Sequence, residues 1–271
     1  TGTRIYNNFI YDITGYGWVS NTAANGHGIE VNNGGGYEIE YNSVSMNTDQ
    51  SIAANSEAIY IGALVAGGLI IRNNIFSNSQ TTGTRYAIYC AAPNSVFTIL
   101  NNNDYYSAGG TLGFLGANQA NLALWKLATG QDVNSVSVNP VYVSAVDLHL
   151  GPTSPLNALG TPVAGITTDI DLNARDVATP DIGADEFTPP NCNSNAAGVA
   201  SATFLSICAT GNTTLFSTGY ATGTGLTYQW EFFNGAIWLP LAGQTSPFSA
   251  IISIISSTTQ YRLKVICANC C

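Results

Sequence analysis

Residues 4–13 read "RIYNNFIYDI", and close copies return at 38–47 as "EIEYNSVSMN", at 70–79 as "IIRNNIFSNS" and at 98–107 as "TILNNNDYYS". In each copy an aliphatic residue (Ile5, Ile39, Ile71, Leu100) stands three places ahead of an asparagine (Asn8, Asn42, Asn74, Asn103). Two places after each asparagine comes an apolar side chain: Ile10, Val44, Phe76 and Tyr105. The asparagines are 34, 32 and 29 residues apart. A second motif runs "HGIEVNN", "EAIYIGA", "YAIYCAA" and "LGFLGAN"; it aligns Ile29, Ile59, Ile88 and Phe114 at spacings of 30, 29 and 26. Two motifs that keep one drifting period are a repeat, and a repeat decides the architecture before any single element does.

Each unit holds short alternating strands separated by Gly- and Asn-rich turns, too short and too rich in β-formers for a helical solenoid. The expectation is a right-handed parallel β-helix, one coil per repeat, with equivalent strands stacked about 4.8 Å apart. A side chain recurring once per coil then stacks on its own copies. Asn8, Asn42, Asn74 and Asn103 are therefore expected to form a structural ladder. They would take left-handed turn angles and bond turn backbone from coil to coil.

The bulk numbers agree with an all-β chain. Of 271 residues, 45% are hydrophobic and only 8% charged, against about 25% in ordinary domains, with a net charge of −9. Lys126 and Lys264 are the only lysines. So few cations exclude nucleic acid and an anionic membrane surface as partners, and no apolar run reaches the roughly 18 residues of a spanning helix. The sequence opens on "TGTRIYNN", inside the repeat, and ends on "CANCC", so a mature segment or a fragment of something longer is expected. Five of the six cysteines lie in the last 80 residues. That clustering points to disulfides and an oxidising compartment, and no second CxxC pair supports a zinc site.

Chemistry is sparse in the coils. Glycoside hydrolysis needs two carboxylates across a sugar bond, and the coils offer Glu30, Glu38, Glu40, Asp49, Glu57 and Asp104. Glu38 and Glu40 flank inward Ile39, so both are expected to face solvent. A lyase needs a base and a cation for the uronate; His27, Arg72 and Arg85 are the scarce candidates. "DIDLNARD" places Asp169, Asp171 and Asn173 at alternate positions, but Ala174 and Pro180 stand where an EF-hand needs Gly and Glu. Asp169, Asp171, Asp181 and Asp185 could instead form a looser calcium cage. The competing reading is that they cap turns and bond Arg175. His149 has no triad context. Tyr60, Tyr89, Tyr105 and Tyr106 recur on coils and are candidates for glycan stacking or for ordinary packing.

From about residue 121 the repeat stops. Trp125, Gly130, Asp132, Asn139-Pro140, "DLHL" at 147–150, "SPLNALG" at 154–160, "DIDLNAR" at 169–175 and "PDIGADEF" at 180–187 follow. In order and spacing they resemble the closing segment of secreted bacterial right-handed parallel β-helix proteins of the pectate-lyase-like superfamily. With the repeats, the resemblance covers residues 1–187. It implies the fold more than the chemistry, because such proteins include polysaccharide lyases and hydrolases as well as non-catalytic surface proteins.

"TPPN" at 188–191 reads as a linker, and residues 192–271 as a β-sandwich of short strands and polar turns. "GLTYQWEFFNGAIWLPLAG" and "TTQYRLKVIC" resemble the Ig-like repeats of large bacterial surface proteins exported by the type IX route. That resemblance implies a core of Cys208, Trp230 and Cys267, with Tyr261 at the start of the last strand and Cys208–Cys267 as the preferred disulfide. Cys192 could pair instead with Cys208, Cys270 or Cys271, and Cys90 reads as a buried free thiol. The expected protein is thus a right-handed parallel β-helix followed by an Ig-like β-sandwich, secreted to the cell surface. The expected role is a non-catalytic structural or adhesive module of a large or filament-forming bacterial protein. Copies of itself end to end, further domains or a glycan are its expected partners, with no cofactor except calcium. The alternative is a polysaccharide lyase, glycoside hydrolase or glycan-binding β-helix with an accessory Ig-like domain.

Overall fold

A computed structural model describes residues 2–15, 26–51, 53–189, 197–204, 213–222, 226–247, 250–252 and 257–267. The chain divides into two compact units, Thr1–Phe187 and Thr188–Cys271.

The first unit is a parallel β-solenoid whose strands fall into three sheets. Sheet A stacks β1 (Arg4–Tyr6), β4 (Glu38–Glu40), β7 (Leu69–Arg72) and β10 (Phe97–Asn101). Sheet B stacks β2 (Phe9–Ile10), β5 (Ser43–Met46), β8 (Ile75–Asn78) and β11 (Asp104–Ser107). Sheet C stacks β3 (His27–Gly35), β6 (Ser56–Gly67), β9 (Arg85–Cys90) and β12 (Gly113–Leu115), closed by antiparallel β13 (Ala117–Gln119). Ile5, Ile39, Ile71 and Leu100 stand in register, as do Ile10, Val44, Phe76 and Tyr105. Ile39, Ile71, Val44, Phe76 and Tyr105 are buried in one core with Ile59, Ile61 and Ile88. Like side chains meet like because parallel pairing in register repeats the same environment at every level.

One column slips from its expected register. Ile29, Ile59 and Ile88 are partners, but Ile88 faces Gly113, while Phe114 faces Tyr89. The reason lies at the end of the stack. Helix α1 (Leu122–Thr129) brings in Trp125, and a Cβ on Gly113 would come within 3.1 Å of its ring. Trp125, fully buried, fills the space that an inward Phe114 would need.

The turn angles also differ in detail from expectation. The left-handed residues between sheets A and B are Asn7, Tyr41, Asn73 and Asn102, with φ of 54°, 53°, 58° and 54°. Each lies one place before the recurring asparagine. Asn tolerates this region better than most residues, and Tyr41 shows that the column imposes it regardless.

Beyond α1, the chain runs back along the outside of the stack. Asn102 Nδ2 donates to Leu159 O (3.0 Å), Asn73 Nδ2 to Thr161 O (2.8 Å), Tyr41 Oη to Thr161 O (2.7 Å) and Asn7 Nδ2 to Thr168 O (2.7 Å). The closing segment contains β14 (Tyr142–Ser144) and antiparallel β15 (Asp147–Leu150). It packs Leu150, Leu156 and Ile182 over outward-facing Ile75 as a second small core.

In the second unit the described residues form two three-stranded antiparallel sheets. One joins β16 (Val199–Ala202), β17 (Thr213–Thr218) and β20 (Ala250–Ile252). The other joins β19 (Trp238–Pro240), β18 (Leu226–Phe233) and β21 (Tyr261–Cys267). Buried Leu215, Trp230 and Leu263 form its core, with Tyr228, Tyr261 and Val265 packed against it. Trp230 Nε1 donates to Ser246 O at 3.0 Å, which satisfies the one polar atom of a buried indole. Cys192, Cys208, Cys270 and Cys271 lie outside the described residues, and with them the expected disulfide pairings. Among the described residues no helix is long and apolar enough to cross a membrane.

Candidate functional site

The recurring asparagines form a continuous hydrogen-bonded column. Asn8 Nδ2 donates to Asn42 Oδ1 (2.8 Å), Asn42 Nδ2 to Asn74 Oδ1 (2.9 Å) and Asn74 Nδ2 to Asn103 Oδ1 (3.0 Å). Each interior rung also reaches down one coil: Asn42 to Ile5 O (2.9 Å), Asn74 to Ile39 O (2.8 Å) and Asn103 to Ile71 O (3.0 Å). At the far end Ser135 Oγ takes the rung position, accepting from Asn103 N at 2.9 Å and donating to Asp132. Asp132 also accepts from Trp125 Nε1 at 2.6 Å and Tyr105 Oη at 3.2 Å. Burial pushes the Asp132 carboxyl up and these donors oppose the shift. The column thus ends on a carboxylate whose partners are all structural.

The coil carboxylates are placed differently from the sequence expectation. Glu40 does not face solvent: it is buried between Arg4 (Nη2–Oε2 2.7 Å) and Arg72 (Nε–Oε1 2.8 Å), and Arg4 also holds Glu38 at 2.7 Å. The physical reason lies in the neighbouring strands: Arg72 is the register partner of Glu40 on β7, and Arg4, whose own partner on β4 is Glu38, reaches Glu40 diagonally, as a long side chain can. Asp104 is fully buried, accepts from Val138 N at 2.9 Å, and is held well above the usual carboxylate range by that burial. Glu57 and His27, also buried, lie 3.0 Å apart out of line for a hydrogen bond, and burial raises the Glu57 pKa.

The aromatic rings stack on one another along sheet C. His27–Tyr60, Tyr60–Tyr89 and Tyr89–Phe114 have centroid separations of 4.7, 5.6 and 4.4 Å and interplanar angles of 20°, 17° and 7°. Their faces cover each other. A sugar stacks on a free face, so this column presents edges rather than platforms. Tyr105 belongs to the inner column, stacked on Phe76.

The four aspartates considered for calcium separate into two roles. Asp169 Oδ1 accepts from Asp171 N (2.9 Å) and Asn173 N (2.8 Å), and its Oδ2 from Glu186 N (3.1 Å). Asp181 accepts from Ala158 N (2.6 Å) and Phe187 N (2.8 Å), and burial, opposed by these two donors, raises its pKa to about 7. Both spend their oxygens on backbone amides, as turn-capping carboxylates do. Arg175 does not bond these aspartates; it pairs with Glu186 at 3.3 Å, donates to Gly183 O and Ala184 O, and lies 3.9 Å over the Tyr41 ring.

Asp171 and Asp185 instead converge on His149. One atom from each of the three side chains lies within 4.8 Å of the others. His149 Nε2 is 2.6 Å from Asp171 Oδ2, and Nδ1 bonds Asp147. Asp185 Oδ2 accepts from Leu150 N at 2.8 Å, and burial raises its pKa. For His149, burial acts to lower the pKa, but the bonds to Asp147 and Asp171 outweigh it and the net shift is upward. An imidazole with two carboxylates is a donor set for a divalent cation; a protonated His149 can supply the same positive charge. "DLHL" alternation places His149 outward, but its meeting with Asp171 and Asp185 depends on how the closing segment folds back, which no local pattern encodes.

No family model, curated protein or solved structure matches this chain.

Proposed function

We propose that this chain is a secreted, non-catalytic structural or adhesive module of a bacterial surface or filament-forming protein. Its second unit would be an Ig-like sandwich closed by Cys208–Cys267. The observation that carries this reading is the continuous polar column from Asn8 to Asp132. It is committed from end to end to holding coils together. The Arg4–Glu40–Arg72 stack removes further candidate carboxylates from chemistry. The test is a turnover screen of the full chain on acidic and neutral polysaccharides, with and without calcium. We expect neither new reducing ends nor unsaturated products; catalytic release of either overturns the reading.

A second reading is favoured by one observation, the His149–Asp171–Asp185 cluster. Its carboxylates differ in environment, Asp171 exposed and Asp185 buried, and such pairs can divide acid and base roles. Turnover abolished by Asp171→Asn would establish this carbohydrate-active alternative.

A further inference from the structure

The two ends of the solenoid are unlike. At the far end each sheet and the ladder is finished. Val136 N donates to Asn103 O (2.9 Å) and Tyr105 N to Val136 O (3.0 Å) on sheet B; Asp132 N donates to Leu100 O (2.8 Å) on sheet A; β13 closes sheet C. Trp125 plugs the core and Ser135 takes the last rung. At the near end β1, β2 and β3 are each the last strand of their sheet among the described residues. Ile5 and Ile10 are only partly buried, whereas their register partners Ile39 and Val44 are fully buried. Asn8 is exposed while Asn42, Asn74 and Asn103 are buried, and the downward bond that each of those makes to the preceding coil has no counterpart at Asn8 among the described residues.

The described part of this edge lacks two of the usual protections, although Arg4 and Glu30 lend it charge and β3 pairs with β6 through register shifts. Residues 2–15 and 26–36 contain no Pro and no Lys, the residues that commonly blunt an exposed strand edge. The corner where one coil passes to the next is also ready. Gly68 packs against Gly36, with its Cβ position 3.1 Å from Gly36 N, and Gly2 lies over Gly36 so closely that a Cβ would overlap Gly36 O. Gly2 therefore sits where Gly36 and Gly68 carry the chain between coils.

We propose that the β1–β2–β3 edge is a docking surface for one more parallel coil, entering through the Gly2 corner. That coil would carry the same aliphatic-x-x-Asn-x-apolar pattern, so that its Asn bonds Asn8 and covers Ile5 and Ile10. A second copy stacked in the same sense would have to offer its far end, which Trp125 and β13 close. Two copies meeting near end to near end would oppose strand directions and break the ladder. The inference extends the structural reading above, but rests on the stack alone. Turnover of a polysaccharide would sink that reading and leave this edge untouched.

The test is amide hydrogen exchange on the full chain and on the same chain with a copy of residues 38–67 joined directly ahead of Gly2. In the unextended chain the amides of β1, β2 and β3 exchange faster than those of β4, β5 and β6. In the extended chain they slow by at least about tenfold. In a third chain, whose copy carries Ala at the rung asparagine, they slow less. Three results overturn the proposal. The first is β1–β3 amides already as slow as β4–β6 in the unextended monomer, meaning the chain covers its own edge. The second is slowing that appears only as concentration rises, meaning a second copy covers it. The third is no slowing on extension.

Discussion

Asn74 makes five side-chain hydrogen bonds. The two hydrogens of its Nδ2 are shared among Ile39 O, Arg72 O and Asn103 Oδ1, and its Oδ1 accepts from Asn42 N and Asn42 Nδ2. Replacing it by Ala strands several buried partners, each costing about 1–3 kcal/mol. Asn74→Ala should therefore destabilise the first unit by roughly 3 kcal/mol or more in urea unfolding, whereas exposed Asn8→Ala should cost less than about 1 kcal/mol. Asp181 gives the residue-scale dependence on pH. Its pKa rises from 3.8 to about 7 on folding, so between those values the folded chain keeps a proton that the unfolded chain releases. Stability contributed by this group is complete below about pH 4 and is lost as pH rises through about 7. At about 1.4 kcal/mol per unit, the loss amounts to up to about 4 kcal/mol. Asp181→Asn should flatten the slope of unfolding free energy against pH over this window, and an unchanged slope would contradict the assignment. The asparagine column was legible in the sequence because one residue type recurs at one place in the period. The burial of Glu40 was not, since alternation predicts which side a residue faces but not that Arg4 and Arg72 bracket it.

The capping helix and the closing segment operate at the scale of elements. Asn121 Oδ1 caps α1 by accepting from Leu124 N at 3.0 Å, and Gly130 ends it at φ 66°. Both signals stand in "NLALWKLATG", an N-cap and a C-terminal Gly around an apolar run, but the all-β expectation drawn from composition passed over them and placed no helix here. What it does was not readable, because Trp125 fills the end of a core assembled from residues far away in sequence. Trp125→Ala should cost about 3–5 kcal/mol as a large buried aromatic, and more than Trp125→Phe, which keeps the ring but leaves Asp132 one donor short. A Trp125→Phe variant as stable as the unchanged chain would show that the indole N–H to Asp132 carries no weight. The single-residue slip at Gly113 has the same origin: the period of sheet C set the expectation, and tertiary packing at the cap overrode it.

For the molecule as a whole, the repeat made the stacked architecture legible, since a period shared by two motifs has few three-dimensional solutions. The path of the backtracking closing segment was not legible in the repeat, because its partners Asn7, Tyr41, Asn73 and Asn102 are spread over four coils. The second unit offers its own test. If Cys208 and Cys267 are joined, reduction should lower its unfolding temperature, with about 2–5 kcal/mol lost, while the transition of the first unit stays in place. The central claim is that the asparagine column acts as one cooperative device through the stack. Asn42 and Asn103 do not bond each other, but both bond Asn74. The most direct measurement is a double-mutant cycle in urea on Asn42→Ala, Asn103→Ala and the double variant. Residues sharing a network partner couple by about 0.5–3 kcal/mol, so the double variant should lose less than the sum of the single losses by at least about 0.5 kcal/mol. Additivity within about 0.3 kcal/mol would mean that the rungs act independently and that the column is not what holds the coils together.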